Sequence, residues 1–523
     1  MLVEPIGPLL AVDPTLLVRS FTASNTAADT TLEEELHMKI NSRNFSILLI
    51  ATAVMFVILL LPNPETLPVA GQRALAVLAF AVILWITEAV TYPVSAVMIV
   101  SLLALFIGLS PTIEDPSVTY GTSEALSMAI GGFSSTAVLL VGGALVLAAA
   151  MEITGLHRRI ALYILSKVGT QPGRLVMGTI LVSFVLALFV PSATARAGTL
   201  VPILLGIVAA FGLAKESRLA ALLMITAVQS ISIWNIGIKT AAAQNMVALG
   251  FIKAEYGMDI TWGAWFLYAA PWSIIMSVVL YIVMTRLIKP DIPDITKGNS
   301  LKKQLDELGK MSSKEKKLII IALALLILWS TEGLLHPFDS TTIMIVAVAV
   351  MLTPIVGIFG WKEVQQKVPW GTLIVFATGI SLGTVLLSTE GASWLSANSF
   401  EAMGLNSMPL VMMIALLAAF NILIHLGFAS ATSLASAFIP IVIALAGSME
   451  ATNFNAIGLV VIMQFVVSFG FLLPVNAPQS MLAYGTGTFT AKDFLKSGIP
   501  LTVIGYLLII IFSATYWQWI GLL

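Results

Sequence analysis

The chain contains no cysteine, which excludes disulfide staples and thiolate metal sites. Charge is scarce as well. Asp, Glu, Lys and Arg make up 10% of the residues, against about 25% in an ordinary soluble domain. The formal net charge of −1 leaves no basic surface for nucleic acid. Histidine occurs four times, and no HExxH, GxSxG or Walker A sequence is present, so the usual signatures of zinc hydrolases, serine hydrolases and nucleotide-driven machines are missing. The methionines are scattered through apolar stretches rather than clustered. No metal ion or cofactor is expected. Residues 1–44 lack a basic segment followed by an apolar one and carry Glu33, Glu34 and Glu35 in a row. That pattern reads as a cytoplasmic tail rather than a cleaved signal.

What the chain has is apolar length. Hydrophobic residues account for 58% of it, mean hydropathy is +0.99, and the apolar residues come in blocks. About twenty residues of helix cross a hydrocarbon core of about 30 Å, whereas membrane β-barrels alternate over segments of about ten. The fold class is therefore an all-α polytopic membrane protein. Blocks run over Phe45–Leu61, Ala74–Val90, Val94–Leu109 and Ala137–Ile153, then Leu175–Phe211 with a polar centre, PSATARAG, at Pro191–Gly198. A block from Leu219, broken at Asn235–Asn245, and Trp265–Met284 complete a first membrane half, residues 45–285. A charged cytoplasmic linker, 286–317, precedes a second half, 318–523, with blocks Leu318–Leu335, Thr342–Val356, Leu373–Leu387, an interrupted Val411–Leu445, a broken block from Ile457, and Leu501–Ile520. A polar turn at membrane depth survives only where protein or a water-filled cavity satisfies it. The two interrupted stretches accordingly read as re-entrant hairpins, which leaves about eleven transmembrane helices.

Charge placement orients the chain. With the N-terminus cytoplasmic and the C-terminus outside, Arg73 and Lys253 are the external basic residues, Arg196 and Lys239 lie within membrane segments, and every other Lys and Arg faces the cytoplasm. This obeys the positive-inside rule and suits the plasma membrane.

The halves also repeat each other. ILWITEAVTYP (Ile83–Pro93) matches ILWSTEGLLHP (Ile327–Pro337); Gly143 and Gly155 match Gly379 and Gly391; Ser192-Ala193-Thr194 matches Ser430-Ala431-Thr432; and Gln244 matches Gln479. The offsets lie between 235 and 244. An odd number of crossings separates the copies, so the repeat is inverted and the hairpin tips meet near the midplane. Paired interrupted helices in an inverted repeat point to a secondary transporter with its substrate between the repeats. At each tip a helix start exposes N–H groups and the positive end of its dipole, which attract anions, while Ser and Thr hydroxyls cap the helix and donate to a ligand. The expected substrate-binding set is Ser192, Ala193, Thr194, Ser430, Ala431 and Thr432 with the break residues Gln244, Asn245, Asn476 and Gln479. Arg196 and Lys239 are expected to compensate charge, because a cation at membrane depth lines a pathway or finds a partner. The competing readings are that the hydroxyls merely cap helices, that Arg196 snorkels or pairs with Glu88 or Glu332, and that His425 is a satisfied polar residue.

Ser-x-Thr tips, each followed by an unwound Asn/Pro/Gln break, resemble the divalent anion–sodium symporter family of dicarboxylate, citrate and sulfate carriers. The resemblance covers residues 45–523 and is dense in NAPQSMLAYGTGTFTAKDFLKSGIPL (Asn476–Leu501). It implies a homodimer in membrane lipid, a transport domain moving as an elevator against a scaffold, and carboxylate binding by Ser192, Thr194, Ser430 and Thr432. The family's tip is Ser-Asn-Thr, and Ala193 and Ala431 take the place of both asparagines. Its Pro-Pro-Asn breaks are replaced by Ala243-Gln244-Asn245 and Ala477-Pro478-Gln479. PSATARAG resembles the branch of citrate/succinate antiporters and 2-oxoglutarate/malate translocators. That likeness implies sodium-independent exchange of di- or tricarboxylates such as 2-oxoglutarate, malate, succinate, fumarate or citrate. Lys239, a fixed ammonium within the first break, is expected to take the place of a bound cation. A sodium-coupled symporter of dicarboxylates or inorganic divalent anions is the alternative within the fold. A membrane hydrolase pairing Ser192 with His425, and a passive channel, are alternatives outside it.

Overall fold

The computed structural model describes residues 42–290, 300–448 and 455–523. The expected tail over 1–41, with Arg19 and Lys39, and part of the linker lie outside them. The described residues form helices and no β-strand beyond two isolated bridges. In chain order the first half comprises α1 (Ser42–Leu60), α2 (Val69–Thr87), α3 (Tyr92–Gly108), α4 (Thr122–Ile130), α5 (Thr136–Thr154), α6 (Leu156–Val168), α7 (Pro172–Phe189), α8 (Ala193–Ala210), α9 (Arg218–Gly237), α10 (Ala243–Tyr256) and α11 (Trp262–Leu287). After α12 (Ser300–Glu307) come α13 (Ser313–Ser330), α14 (Ser340–Leu352), α15 (Trp361–Gln365), α16 (Trp370–Ser388), α17 (Gly391–Ser396), α18 (Leu410–His425), α19 (Ala431–Ser448), α20 (Ala456–Val467), α21 (Pro478–Tyr484), α22 (Ala491–Ala514) and α23 (Tyr516–Trp519). Among the described residues, ten helices are long and apolar enough to cross a membrane, and α3, α14, α18 and α20 are shorter apolar helices. The chain is a multi-pass membrane protein.

Each expected apolar block is found as a helix or a broken pair of helices, with three differences in detail. The polar cluster at Pro191–Gly198 is not a loop. The chain is non-helical only at Val190–Ser192, and Ala193–Gly198 already belong to α8, because the Ser192 hydroxyl accepts from the Ala195 N–H and caps the helix there. The break expected at Asn235–Asn245 is narrower, a short 3-10 turn at Lys239–Ala241 between α9 and α10. Residues 156–168 are the helix α6, whose apolar positions Leu156, Ala161, Leu162 and Leu165 are buried on one side while Arg158, Arg159 and Lys167 lie elsewhere on it.

The repeat recurs in the helices. α8 and α19 have the same length, and each carries an internal proline at the same place, Pro202 and Pro440. The 3-10 turn before α10 has its counterpart at Pro474–Asn476 before α21. Packing is reciprocal between the halves: α10 lies against α19 and α21 against α8, and α3 lies against α16 and α14 against α5. Neither half could therefore bury its apolar faces alone. Every residue of α9 after Arg218 is buried, and α11 clamps it with Trp265, whose indole N–H donates to the Ile236 carbonyl at 2.9 Å. Small residues permit the tightest approaches. A Cβ on Gly132 would sit 2.2 Å from the Ala377 carbonyl oxygen, and the Gly132 N–H donates to the Ser381 hydroxyl at 3.0 Å.

Candidate functional site

The four polar breaks converge. The ends of α8, α10, α19 and α21 enclose a cavity of about 410 Å3 lined by Ser192, Ala193, Thr194, Ser430, Ala431, Thr432, Gln244, Asn476 and Gln479, among others. Its volume falls within the range of ligand pockets. Ser192 and Ser430 cap their helices, their hydroxyls accepting from the N–H groups of Ala195 at 3.2 Å and Ser433 at 3.4 Å. Thr194 and Thr432, two residues further on, line the cavity. The two break glutamines cross between the halves: Gln244 Nε2 donates to the Ser468 hydroxyl at 3.2 Å and Gln479 Nε2 to the Ser232 hydroxyl at 3.1 Å.

Behind this lining, side chains hold the broken backbone. Asn476 Nδ2 reaches the carbonyls of His425 (2.8 Å), Phe428 (3.1 Å) and Leu426 (3.2 Å), tying the second break to the end of α18. Asn245 Nδ2 reaches the carbonyls of Asn235 (2.7 Å), Ile238 (3.2 Å) and Lys239 (3.3 Å) in the first break. Asn245 was expected to bind substrate, but it does not line the cavity; its amide is consumed by these carbonyls. Arg196 is fully buried. Its Nη2 donates to Asn235 Oδ1 and, at 2.9 Å, to the Ala241 carbonyl, which places the guanidinium between the first hairpin tip and the first break, one layer behind the lining. No ion pair among the described residues involves Arg196, so the expected alternatives of pairing with Glu88 or Glu332 are not what the structure has. Lys239 differs from expectation more sharply. Its ammonium donates to the Ile260 carbonyl at 2.6 Å, in the segment leading into α11, and it does not line the cavity. The 3-10 turn at Lys239–Ala241 turns the side chain away from the hairpin tip. His425 does line the cavity, with Nε2 3.3 Å from the Asn476 carbonyl oxygen. No hydrogen bond joins it to Ser192 among the described residues.

Several site residues carry no mark in the individual motifs. Gln229 donates to the Phe471 carbonyl at 3.0 Å and Gln464 to Asn245 Oδ1 at 3.3 Å, a second crossing of glutamines between the halves. Their spacing of 235 equals that of Gln244 and Gln479, a signal that aligning the repeats residue by residue would have found. Tyr92, Glu152 and Lys367 also line the cavity. Lys367 Nζ lies 2.6 Å from Glu152 Oε1, and that hydrogen bond and the carboxylate's charge raise the Lys367 pKa above the ordinary lysine value.

A chamber enclosed by helix starts, bounded by two interrupted helix pairs and embedded in a multi-pass helical protein, defines a membrane transport protein of the broken-helix type. The family described as the sodium:sulfate symporter transmembrane region matches residues 42–523, and the chain belongs to it, the same divalent anion–sodium symporter family suggested by the tips and breaks. A protein of Cupriavidus necator named only as a membrane protein is 50% identical over 90% of this chain and 92% of its own length. The sodium-dependent dicarboxylate transporter SdcS of Staphylococcus saprophyticus is 27% identical over 88% of this chain and 89% of its own. The citrate/succinate antiporter of Escherichia coli is 26% identical over 89% and 96%. Among solved structures, the YdaH transporter of Alcanivorax borkumensis has the same fold at a TM-score of 0.51, with 15% identity over 84% of this chain and 99% of its own.

The Asn476 amide serves three carbonyls at once. Replacing it with Ala removes the donor from those of Leu426 and Phe428, while that of His425 keeps the Phe428 N–H at 3.0 Å; the cost is about 1–3 kcal/mol for each group left unpaired. Asn476→Ala is expected to lower the thermal unfolding midpoint of the purified protein clearly; a midpoint equal to wild type would show that this tie is dispensable.

Proposed function

We propose that the protein exchanges small dicarboxylates across the plasma membrane without sodium, through a transport domain that shuttles as an elevator between inverted repeats, in a homodimer with its N-terminus in the cytoplasm. The observation that carries the reading is Arg196. Its guanidinium is fully buried with no carboxylate among the described residues paired to it, beside the break where a bound cation would otherwise balance an anion. Placing a fixed charge at that depth costs some 2.5 kcal/mol or more. A bound anion offsets the cost; an empty site does not, so crossing is fast only when loaded. A sodium ion at the same place would be repelled. At the second break the Asn476 amide already occupies three carbonyls that could ligate a cation. Relatives named as citrate/succinate antiporters agree with exchange; the similarity to SdcS keeps sodium-coupled uptake as the competing reading, one that nothing around Arg196 favours.

Inversion has its own support. The N-terminal end of α5 (Thr136) shares a pocket with the C-terminal part of α16 (Thr384), while the C-terminal end of α5 (Glu152) shares the main cavity with the start of α16 (Thr372). These equivalent helices thus run antiparallel, as copies of opposite orientation must. The hairpins α7–α8 and α18–α19 then enter from opposite faces. Because the chain has no native cysteine, single cysteines at Gln171 and Ser407 can be labelled from either side in intact cells. Gln171→Cys is expected to react only from the cytoplasm and Ser407→Cys only from outside; reaction of both from one side contradicts the inversion.

On this reading the hydroxyls of Thr194 and Thr432 donate to substrate carboxylates. Removing either, in Thr194→Ala or Thr432→Ala, is expected to weaken succinate binding by about 1.5–3 kcal/mol, the value of a hydrogen bond to a charged group. Unchanged binding in both variants would displace the site.

The coupling itself is tested in proteoliposomes with labelled succinate, loaded or not with unlabelled succinate, in sodium or choline buffer. Rapid uptake is expected only into loaded vesicles and equally in both buffers, and Arg196→Met is expected to lose it. Uptake into empty vesicles driven by an inward sodium gradient would establish the symporter instead.

A further inference from the structure

The ionisable side chains lining the main cavity are Tyr92, Glu152, Lys367 and His425. Two of them form an ion pair at its mouth, Lys367 Nζ to Glu152 Oε1 at 2.6 Å, with side chains that are 48% and 51% exposed. Glu152 belongs to the end of α5 in the first half; Lys367 precedes α16 in the second. An anion must pass a carboxylate here, and a bare Glu152 would repel it. Bridged by Lys367, the mouth is neutral. An exposed pair of this kind is held by little free energy, so either partner can change partners readily. The ammonium can turn to an incoming carboxylate while Glu152 turns to water.

The repeat shows that this pair is not an accident of one surface. A second cavity, of about 330 Å3, is lined by Gly131, Thr136, Lys253 and Thr384. At the offset of 236 that relates α5 to α16, Gly131 is equivalent to Lys367, Thr136 to Thr372 and Thr384 to Ala148, and the latter three line the main cavity. The two cavities are thus the same vestibule built twice, toward opposite ends of α5, a helix roughly 28 Å long. The second has no lysine at the equivalent position. It has Lys253 from α10 instead, 2.8 Å from Asp259. Each vestibule therefore holds one lysine, and each lysine is held by one carboxylate.

We propose that Lys367 is the first residue to receive a substrate carboxylate on the face to which the main cavity opens, that Glu152 holds it in a neutral resting pair, and that Lys253 with Asp259 does the same on the opposite face. This rests on the reading of the protein as a dicarboxylate exchanger. A bridge that served only to clasp α5 to the α15–α16 segment would be broken alike by neutralising either partner. An entry site behaves otherwise, because Glu152→Gln frees a cation at the mouth and Lys367→Gln leaves an anion there.

The test measures labelled succinate exchange in cells and in inside-out vesicles, so that each face is read separately. On the face served by Lys367, Glu152→Gln is expected to lower KM about 2- to 5-fold and Lys367→Gln to raise it by a similar factor, the range of an exposed charge interaction. The double variant, neutral at the mouth but without the receiving ammonium, is expected to lie between wild type and Lys367→Gln, and KM on the other face to be unchanged. A charge can also be installed after folding, since the chain has no other cysteine: Lys367→Cys modified with an aminoethyl methanethiosulfonate should recover the low KM, and modified with the sulfonatoethyl reagent should raise it further. Shifts of both single variants in the same direction, or reagents of opposite charge acting alike, would overturn the entry role while leaving exchange intact. A wild-type protein that exchanges no dicarboxylate would overturn the functional reading, and this inference with it.

Discussion

A helix that breaks inside a membrane must find partners for the backbone groups it releases, and the rest of this structure depends on how four such breaks are satisfied. Water at that depth is confined to a cavity, and an unpaired peptide group in hydrocarbon costs several kcal/mol. Here side chains supply the missing partners. Asn476 serves the carbonyls at the end of α18, Asn245 serves those between α9 and α10, and Arg196 takes the Ala241 carbonyl. The glutamines Gln229 and Gln464 carry the ties from one half into the other. Because the donors for one break come from another segment, the interrupted helices can form only together. The chamber lies at their meeting point, where the starts of these helices are collected.

Much of this could be read from the residues. Long apolar blocks bounded by charge mark membrane helices by length alone, and small polar clusters inside such blocks mark breaks. The repeat located four breaks by the same residues twice, and nine of the ten residues expected around a ligand line one cavity. What could not be read is the direction in which a side chain leaves an irregular backbone. Lys239 lies in the 3-10 turn and Asn245 in the first turn of α10 just after it, beside residues that face the cavity, yet both point elsewhere. A helical or extended periodicity would have assigned them a face, and the turn has neither. α6 was missed for a different reason: it is amphipathic, so a search for uniformly apolar blocks passes over it. The Glu152–Lys367 pair joins residues 215 apart, on segments whose adjacency follows only from the packing of α5 near α15 and α16.

The halves solve one problem with different chemistry, and the difference matters more than the likeness. Ala241 and Asn476 are equivalent by the offset of 235, as are Arg196 and Leu434 by that of 238. In the second half the break residue itself, Asn476, supplies the donor to the hairpin. In the first half the break residue is Ala241, with no side-chain donor, and the hairpin residue Arg196 supplies it instead. The direction of the tie is reversed. An amide closes the second break without charge, whereas the guanidinium closes the first and leaves a cation beside the cavity. The asymmetry is electrostatic more than geometric, since the helix starts and their serine caps remain equivalent.

On the proposed reading, the cation that Arg196 buries behind the lining bears on which anion the chamber suits. Helix starts carry about half a positive charge each. The starts of α8, α10, α19 and α21 all meet at the cavity, and together with Arg196 behind the lining they make its field positive and favourable to an anion. Geometry narrows the choice further, because the positive ends of α8 and α19 lie at two separate tips. An anion whose two charges are separated by a carbon chain can place one at each, where a compact divalent ion can satisfy only one tip at a time. On the proposed reading, the preference for dicarboxylates follows from where the repeats put their helix starts, and the independence from sodium follows from what closes the first break.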